Sequence, residues 1–434
     1  MPEFLITFAY KEIPDLYLLL MPQILFIIII SLVVGDFIFE RFLEYLNSTQ
    51  WNDKLPEEVK DIYDEEKYRQ QQAYEKVNHR FSLFSSSFSF AVMLLMLVFS
   101  GFAWVNNIAL LVSVNPILNA LVFFGILLFA SDLISTPFSI YNTFVIEEKF
   151  GFNKTTLKTF ILDKIKGWLL AAIIGGGLLS LIIYIYQLTT SSFWFYAWLV
   201  ISSFSIFMVL FYSNLIVPLF NKQTPLAEGI LKSAIRDFSD QVGFKLDNIY
   251  VIDGSKRSTK ANAYFTGIGA KKRIVLYDTL INDLTTMELV AVLAHEIGHY
   301  KKKHVLWSLL LGILQTGIVL FLFSLFVRSP ELSAALGVQT ASFHIGLIAF
   351  GILYSPISMI TGMAMNVFSR KNEYQADAFT AKHFDANELA LALKKLSVKN
   401  LSNLLPHPVY VFFHYSHPTL LQRLKVLAAV QKRN

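Results

Sequence analysis

The segment His295-Glu296-Ile297-Gly298-His299 has the residue types and spacing for metal chemistry. It lies in a helical pattern running from Met287 to Tyr300, where positions four apart share one face about one turn from each other. Two imidazoles so placed hold one Zn²⁺ through bonds of about 2.0–2.1 Å. Glu296 is adjacent but offset, so its carboxylate reaches the metal-activated water rather than the metal. That is the pattern of metal-assisted hydrolysis with Glu as general base. The bland alternative is a pair of solvated histidines on a juxtamembrane helix. It is disfavoured because other parts of a site are present.

Catalytic zinc takes three protein ligands and keeps one position open. An HExxHxxGxxH set does not apply here, because Lys302 stands where its Gly would be and Val305 where its last His would be. His304 falls one residue short of that position. The third ligand therefore comes from elsewhere. Asn372-Glu373-Tyr374-Gln375-Ala376-Asp377, on a later helical stretch, offers Glu373 as a carboxylate ligand. Asp377 lies four residues on, on the same face, and can fix a zinc-bound imidazole from behind. Alone, such an acid pair is more often a solvated face. Beside the paired histidines it is the best carboxylate candidate.

The elements that must position these groups are mostly apolar. Of the 434 residues 54% are hydrophobic and 16% charged, against roughly 25% charged in an average soluble protein. A disordered chain is excluded, and a membrane protein is the expected class. The absence of cysteine excludes disulfides, Cys-ligated zinc or iron–sulfur sites, a thiol nucleophile and a prenyl or palmitoyl anchor. A net charge of +5 fits positive cytoplasmic loops at least as well as nucleic-acid binding. No basic–aromatic surface pattern favours the latter, so no nucleic-acid partner is expected.

Seven stretches can each span a bilayer: 16–39, 81–104, 116–137, 168–186, 193–217, 305–327 and 344–368. The first reads as a span rather than a cleaved signal, with Gly35-Asp36-Phe37 and Glu40-Arg41 marking its exit. Segment 40–80 carries seven Lys/Arg and segment 138–167 five Lys, while 105–115 and 187–192 carry none. The positive-inside rule then puts the N-terminus outside and every large loop, with the C-terminus, in the cytoplasm. A membrane domain over 1–217 and a domain over 218–434 that carries the metal motif and is interrupted by two spans, 305–327 and 344–368, follow from this layout. The polar region 218–304 reads as an amphipathic helix over Leu226–Val242 ended by Gly243. Short strands follow at 248–252, 262–265 and 273–277, with a Gly267-Ile268-Gly269-Ala270 turn. Region 370–430 reads as helical at both ends around Pro406, Pro408 and Pro418.

Asp132 inside the third span is costly in lipid and marks a cavity or a pairing. With Ser85, Ser86, Ser87, Asn119, Asn142 and Asn214 it suggests a partly wet interior, as against simple polar packing between helices. Lys301-Lys302-Lys303 reads as an inside-positive anchor, and the mixed-charge run 53–76 as a solvated helix pair. Neither is read as a site.

His295–His299, the stretch Ser369-Arg370-Lys371-Asn372-Glu373-Tyr374-Gln375-Ala376-Asp377 and Ser416-His417-Pro418 resemble the integral-membrane zinc CAAX prenyl proteases. So do Glu147-Glu148-Lys149-Phe150-Gly151-Phe152-Asn153-Lys154-Thr155-Thr156 and Ala261-Asn262-Ala263-Tyr264-Phe265. The resemblance implies a gluzincin-like protease domain with a small β-sheet on an otherwise all-α seven-span membrane protein. It implies one zinc per chain, held by His295, His299 and Glu373, with Glu296 activating water. By the same resemblance Asn262, Ala263 and Tyr264 lie on an edge strand that takes the substrate as an added strand. His417 would donate to the developing oxyanion, and Arg423 would support that region or meet the substrate carboxylate. The family hydrolyses the peptide bond after a prenylated cysteine and encloses an intramembrane chamber, which the polar span residues could line. The expected partners are thus prenylated C-termini and the lipid bilayer, in an endoplasmic reticulum or bacterial inner membrane. A broader membrane quality-control protease is the alternative enzyme, and a transporter or scaffold with structural zinc the alternative of another class.

Overall fold

The computed structural model describes residues 2–52, 54–61, 63–189, 192–244, 249–267 and 272–431. Asn248 and the turn residues 268–270 lie outside them. Among the described residues six helices are long and apolar enough to cross a bilayer. They are the Leu20–Ser48 part of α1 (Pro2–Ser48), α2 (Glu65–Val98), α4 (Pro116–Glu147), α5 (Leu157–Thr189), α6 (Phe193–Phe220) and α9 (His304–Phe326). α3 (Gly101–Val112) is a separate, shorter apolar helix. The expected span 81–104 therefore ends early, at Val98, and the chain turns through Ser100 at φ 53° before α3 begins. The expected span 344–368 is two helices, α10 (Phe343–Leu353) and α11 (Ser355–His383), bent by 59°. Pro356 opens α11. Its ring fixes φ and leaves no N–H to continue the ladder of α10.

The bundle is apolar on both sides of its helices. Ile29, Phe123, Phe193, Phe323 and Ile345 form its buried core, while Leu111, Phe99, Ile173 and Leu128 stand outward with well over half of their surface exposed. Contiguous outward apolar surface on this scale suits lipid and not water. A cavity of about 920 Å³ lies between α2 and α4, with Ser85 and Asn142 among mainly apolar residues in its wall, while Ser86, Ser87, Asn119 and Asn214 do not line it. Asp132 is not there. It is ion-paired to Lys164 at 2.8 Å and accepts from the Trp168 indole at 3.0 Å, so its cost in lipid is met by pairing.

The polar region builds a four-stranded sheet of order β1-β2-β4-β3, from β1 (Gln223–Pro225), β2 (Ile249–Ile252), β3 (Ala263–Thr266) and β4 (Arg273–Tyr277). β2 and β4 are parallel, the other pairings antiparallel, and β3 is an edge strand. β1 was not legible beforehand, being three residues with a Pro at its end. Between β1 and β2 runs α7 (Ile230–Gln241), ended by Gly243 at φ 60°. After β4 comes α8 (Thr286–Lys301), opened by a reciprocal capping box in which the Thr285 hydroxyl accepts from Glu288 N–H and the Glu288 carboxylate accepts from Thr285 N–H. Leu289 to Ala294 and Ile297 are all buried, so α8 is enclosed by its neighbours. Those neighbours are α7, α11 and α12 (Ala386–Lys399), and beyond them lie α13 (Pro408–His414) and α14 (Leu420–Gln431).

The run 53–76 is not a solvated helix pair. It is one short turn over Glu57–Val59 and the start of α2, with Val59, Tyr63 and Tyr68 buried against Leu404. The Tyr63 hydroxyl donates to Ser397 O at 2.9 Å. Most of its charges from Lys54 to Arg69 face out while its aromatics dock on the C-terminal helices, which a charge count alone conceals.

Candidate active site

α8 and α11 cross at Gly298, whose missing side chain sets their separation. A Cβ there would lie 3.2 Å from the Cα of Ala376 and the Cβ of Phe379. This close approach carries Glu373 of α11 up to the paired imidazoles of α8. Glu373 Oε2 lies 3.4 Å from His295 Nε2, Glu373 Oε1 lies 3.3 Å from His299 Nε2, and the two Nε2 atoms are 3.1 Å apart.

Partners behind the imidazoles set which nitrogen faces this cluster. His295 Nδ1 donates to Asp377 Oδ1 at 2.9 Å, which leaves Nε2 turned toward Glu373. Arg423 of α14 locks Asp377 in turn, with Nε 2.9 Å from Oδ2 and Nη2 2.5 Å from Oδ1. Arg423 Nη1 lies 3.5 Å from Glu373. His299 is held by a residue that sequence spacing had set aside. His304 Nδ1 lies 3.0 Å from His299 Nδ1, and its Nε2 lies 3.1 Å from the side-chain amide oxygen of Gln375, Oε1. With Nε2–H donated to Gln375, His304 Nδ1 accepts from His299 and frees His299 Nε2. The fold achieves this at Lys303, whose left-handed φ of 59° ends α8 and turns His304 back onto it. The available signal was a third His five residues after His299.

This donor set fits zinc. A tetrahedral ion with bonds of about 2.0–2.1 Å spaces its ligands roughly 3.3–3.4 Å apart, close to the separations observed. Only one metal-competent group of this kind, His295, His299 and Glu373, occurs among the described residues. Burial and the Arg423 charge oppose protonation of His295, yet the Asp377 and Glu373 carboxylates outweigh them and raise it to about 9. The cluster thus attracts positive charge. Three ligands rather than four also leave room for a water or substrate, unlike a closed structural site.

Glu296 is half-buried, and its carboxylate makes no hydrogen bond or ion pair among the described residues. A carboxylate left free beside a metal group is available to take a proton. His417 is 66% exposed and reaches Glu373 Oε1 with Nδ1 at 3.0 Å, so one tethered imidazole faces the open side. Asn262 is exposed at the start of β3. Its carbonyl accepts from Tyr277 N–H on β4, so the next amide, Ala263 N–H, points to the free edge. The Asn262 side chain covers that amide at 2.8 Å. Ala263 and Tyr264 continue the same edge strand.

Membrane-crossing helices, a two-His, one-Glu metal group and a free carboxylate beside it together define an integral-membrane metalloendopeptidase. Two family models match: "CAAX prenyl protease N-terminal, five membrane helices" over residues 44–222 and "Peptidase family M48" over residues 225–431. The chain is 37% identical to CAAX prenyl protease 1 of Saccharomyces cerevisiae, covering 94% of this chain and 96% of that protein. The human CAAX prenyl protease 1 homolog is 34% identical, over 87% of this chain and 89% of its own length. The crystal structure of S. mikatae Ste24p superposes with a TM-score of 0.87 at 37% identity, covering 93% of this chain and 98% of that one. The chain belongs to peptidase family M48, in its CAAX prenyl protease group. Its cofactor is zinc.

Proposed function

We propose that this protein removes the C-terminal tripeptide from prenylated CAAX-type proteins, with its site at the cytoplasmic face and its N-terminus outside. The relatives are eukaryotic proteins of that activity by name, which favours the endoplasmic reticulum membrane. The observation that carries the reading is the convergence of His295, His299 and Glu373 beside the unpaired carboxylate of Glu296. Residues 1–217 act as the membrane domain and residues 218–434 as the protease domain.

His295, His299 and Glu373 hold the zinc, which when bound polarises the scissile carbonyl and acidifies the attacking water. Asp377 and His304 keep the two Nε2 atoms aimed at it. The substrate adds as a strand to the free edge of β3, where its backbone takes Ala263 N–H from the Asn262 side chain. Glu296 accepts the proton of the water as its oxygen bonds to the carbonyl carbon. It then delivers that proton to the leaving nitrogen as the C–N bond breaks. His417 donates toward the carbonyl oxygen as negative charge builds there. Arg423 holds Asp377 and Glu373 in place and faces the same opening.

The test of substrate class is the lipid. A farnesylated CAAX peptide and its unlipidated twin are compared for kcat/KM on the purified protein in detergent or vesicles. The reading predicts a preference of at least tenfold for the farnesylated peptide. Equal values would replace prenyl processing with a broader membrane quality-control protease.

A further inference from the structure

A second cavity, of about 530 Å³, opens beside the metal group and has both His417 and Arg423 in its wall. Asn400 is in the same wall, and it ties the cavity to the edge strand. Its Oδ1 accepts from Ala261 N–H at 3.1 Å and its Nδ2 donates to Ala261 O at 3.3 Å, one residue before Asn262. The cavity thus lies between the start of the β3 edge and the groups that reach Glu373. Its size falls within the range of roughly 300–1,000 Å³ in which small ligands are enclosed. Ser402 and Asn403 add neutral polar groups to the wall, and Leu393, Leu396 and Leu420 add apolar ones.

One wall residue does not fit a neutral lining. Glu75 of α2 enters the same cavity, and among the described residues it makes no hydrogen bond or ion pair. The basic side chains in the same wall have other partners. Arg423 is bound to Asp377, His417 to Glu373, and His414 lies 3.3 Å from Glu40. Burial without a partner disfavours the ionised form of such a carboxyl, so an incoming positive charge that stabilises that form is favoured there and a negative charge is disfavoured. None of the proposed catalytic steps uses it.

Resting on the proposed endopeptidase reading, we propose that this cavity receives residues of the leaving tripeptide and that Glu75 is a specificity-determining residue selecting their side-chain charge. A basic side chain within the tripeptide is favoured and an acidic one disfavoured.

The test uses the full-length zinc-loaded protein and farnesylated peptides that carry Lys, Gln or Glu at each position of the tripeptide in turn. At one position the wild-type protein gives kcat/KM in the order Lys, Gln, Glu, spanning at least tenfold. Glu75→Gln shrinks the Lys-to-Glu ratio at that position at least fivefold, and Glu75→Lys inverts it. Wild-type ratios near one at every position overturn the proposal whatever the variants do. A wild-type preference that survives both Glu75 substitutions overturns the role of Glu75. Failure of the endopeptidase reading looks different, because the wild-type protein would then cleave none of the peptides.

Discussion

At the residue scale, each imidazole of the zinc group is fixed by its own partner, and the two partners were unequally visible. Asp377 was legible from spacing, because a helical i,i+4 step from Glu373 keeps both carboxylates on the face of α11 that meets α8. His304 was not, because its position depends on the left-handed residue Lys303, and no local pattern requires a Lys to adopt φ 59°. Partners of this kind contribute about 10–100-fold in metal affinity when removed. Asp377→Asn and His304→Ala are each expected to weaken zinc binding by that factor, measured by competition with a chelator of known affinity. Unchanged affinity in His304→Ala would mean that the His299–His304 contact is incidental. Glu373→Gln removes one of the three proposed ligands, and the purified variant should retain far less than one zinc per chain by elemental analysis.

At the element scale, the crossing of α8 and α11 brings the ligands together, and Gly298 permits the crossing. Gly298→Ala places a methyl group 3.2 Å from the Ala376 backbone, with no flexible side-chain end there to give way. Overpacking of this kind costs about 1–3 kcal/mol. The variant should show a lowered Tm and weaker zinc binding together, and a variant with normal values of both would show that the helices re-space freely. The N-terminus of α8 is a separate, milder dependence. Thr285→Ala removes one half of the capping box and should cost about 1 kcal/mol, read in the same thermal assay. Helices and strands β2 to β4 were readable because periodicity and turn residues report local burial, whereas the edge position of β3 came from the family resemblance. Two kinks were not. The break at Ser100 and the bend before Ser355 depend on how neighbouring helices pack, and a hydropathy window averages over both. The run 53–76 misled for a related reason. Its charges are local, while the burial of Val59, Tyr63 and Tyr68 depends on Leu404, more than 300 residues away.

At the scale of the whole molecule, an apolar bundle carries a polar catalytic unit whose chain passes twice back through the bundle between α8 and α11. His295 and His299 precede those passes and Glu373 follows them, so the metal group closes only when the membrane helices are in place. Zinc is thus expected to stabilise the assembled protein. Removing it with a chelator should lower Tm, and adding it back should restore both Tm and activity. Glu296 is proposed as the base of the hydrolysis performed at the zinc group beside it. The most direct measurement is zinc content and farnesylated-peptide hydrolysis, side by side, on the wild-type protein and Glu296→Ala. About one zinc per chain is expected in both, with hydrolysis by the variant reduced on the order of 10²–10⁴-fold. A variant that keeps its zinc and cleaves the peptide at the wild-type rate would contradict that role of Glu296.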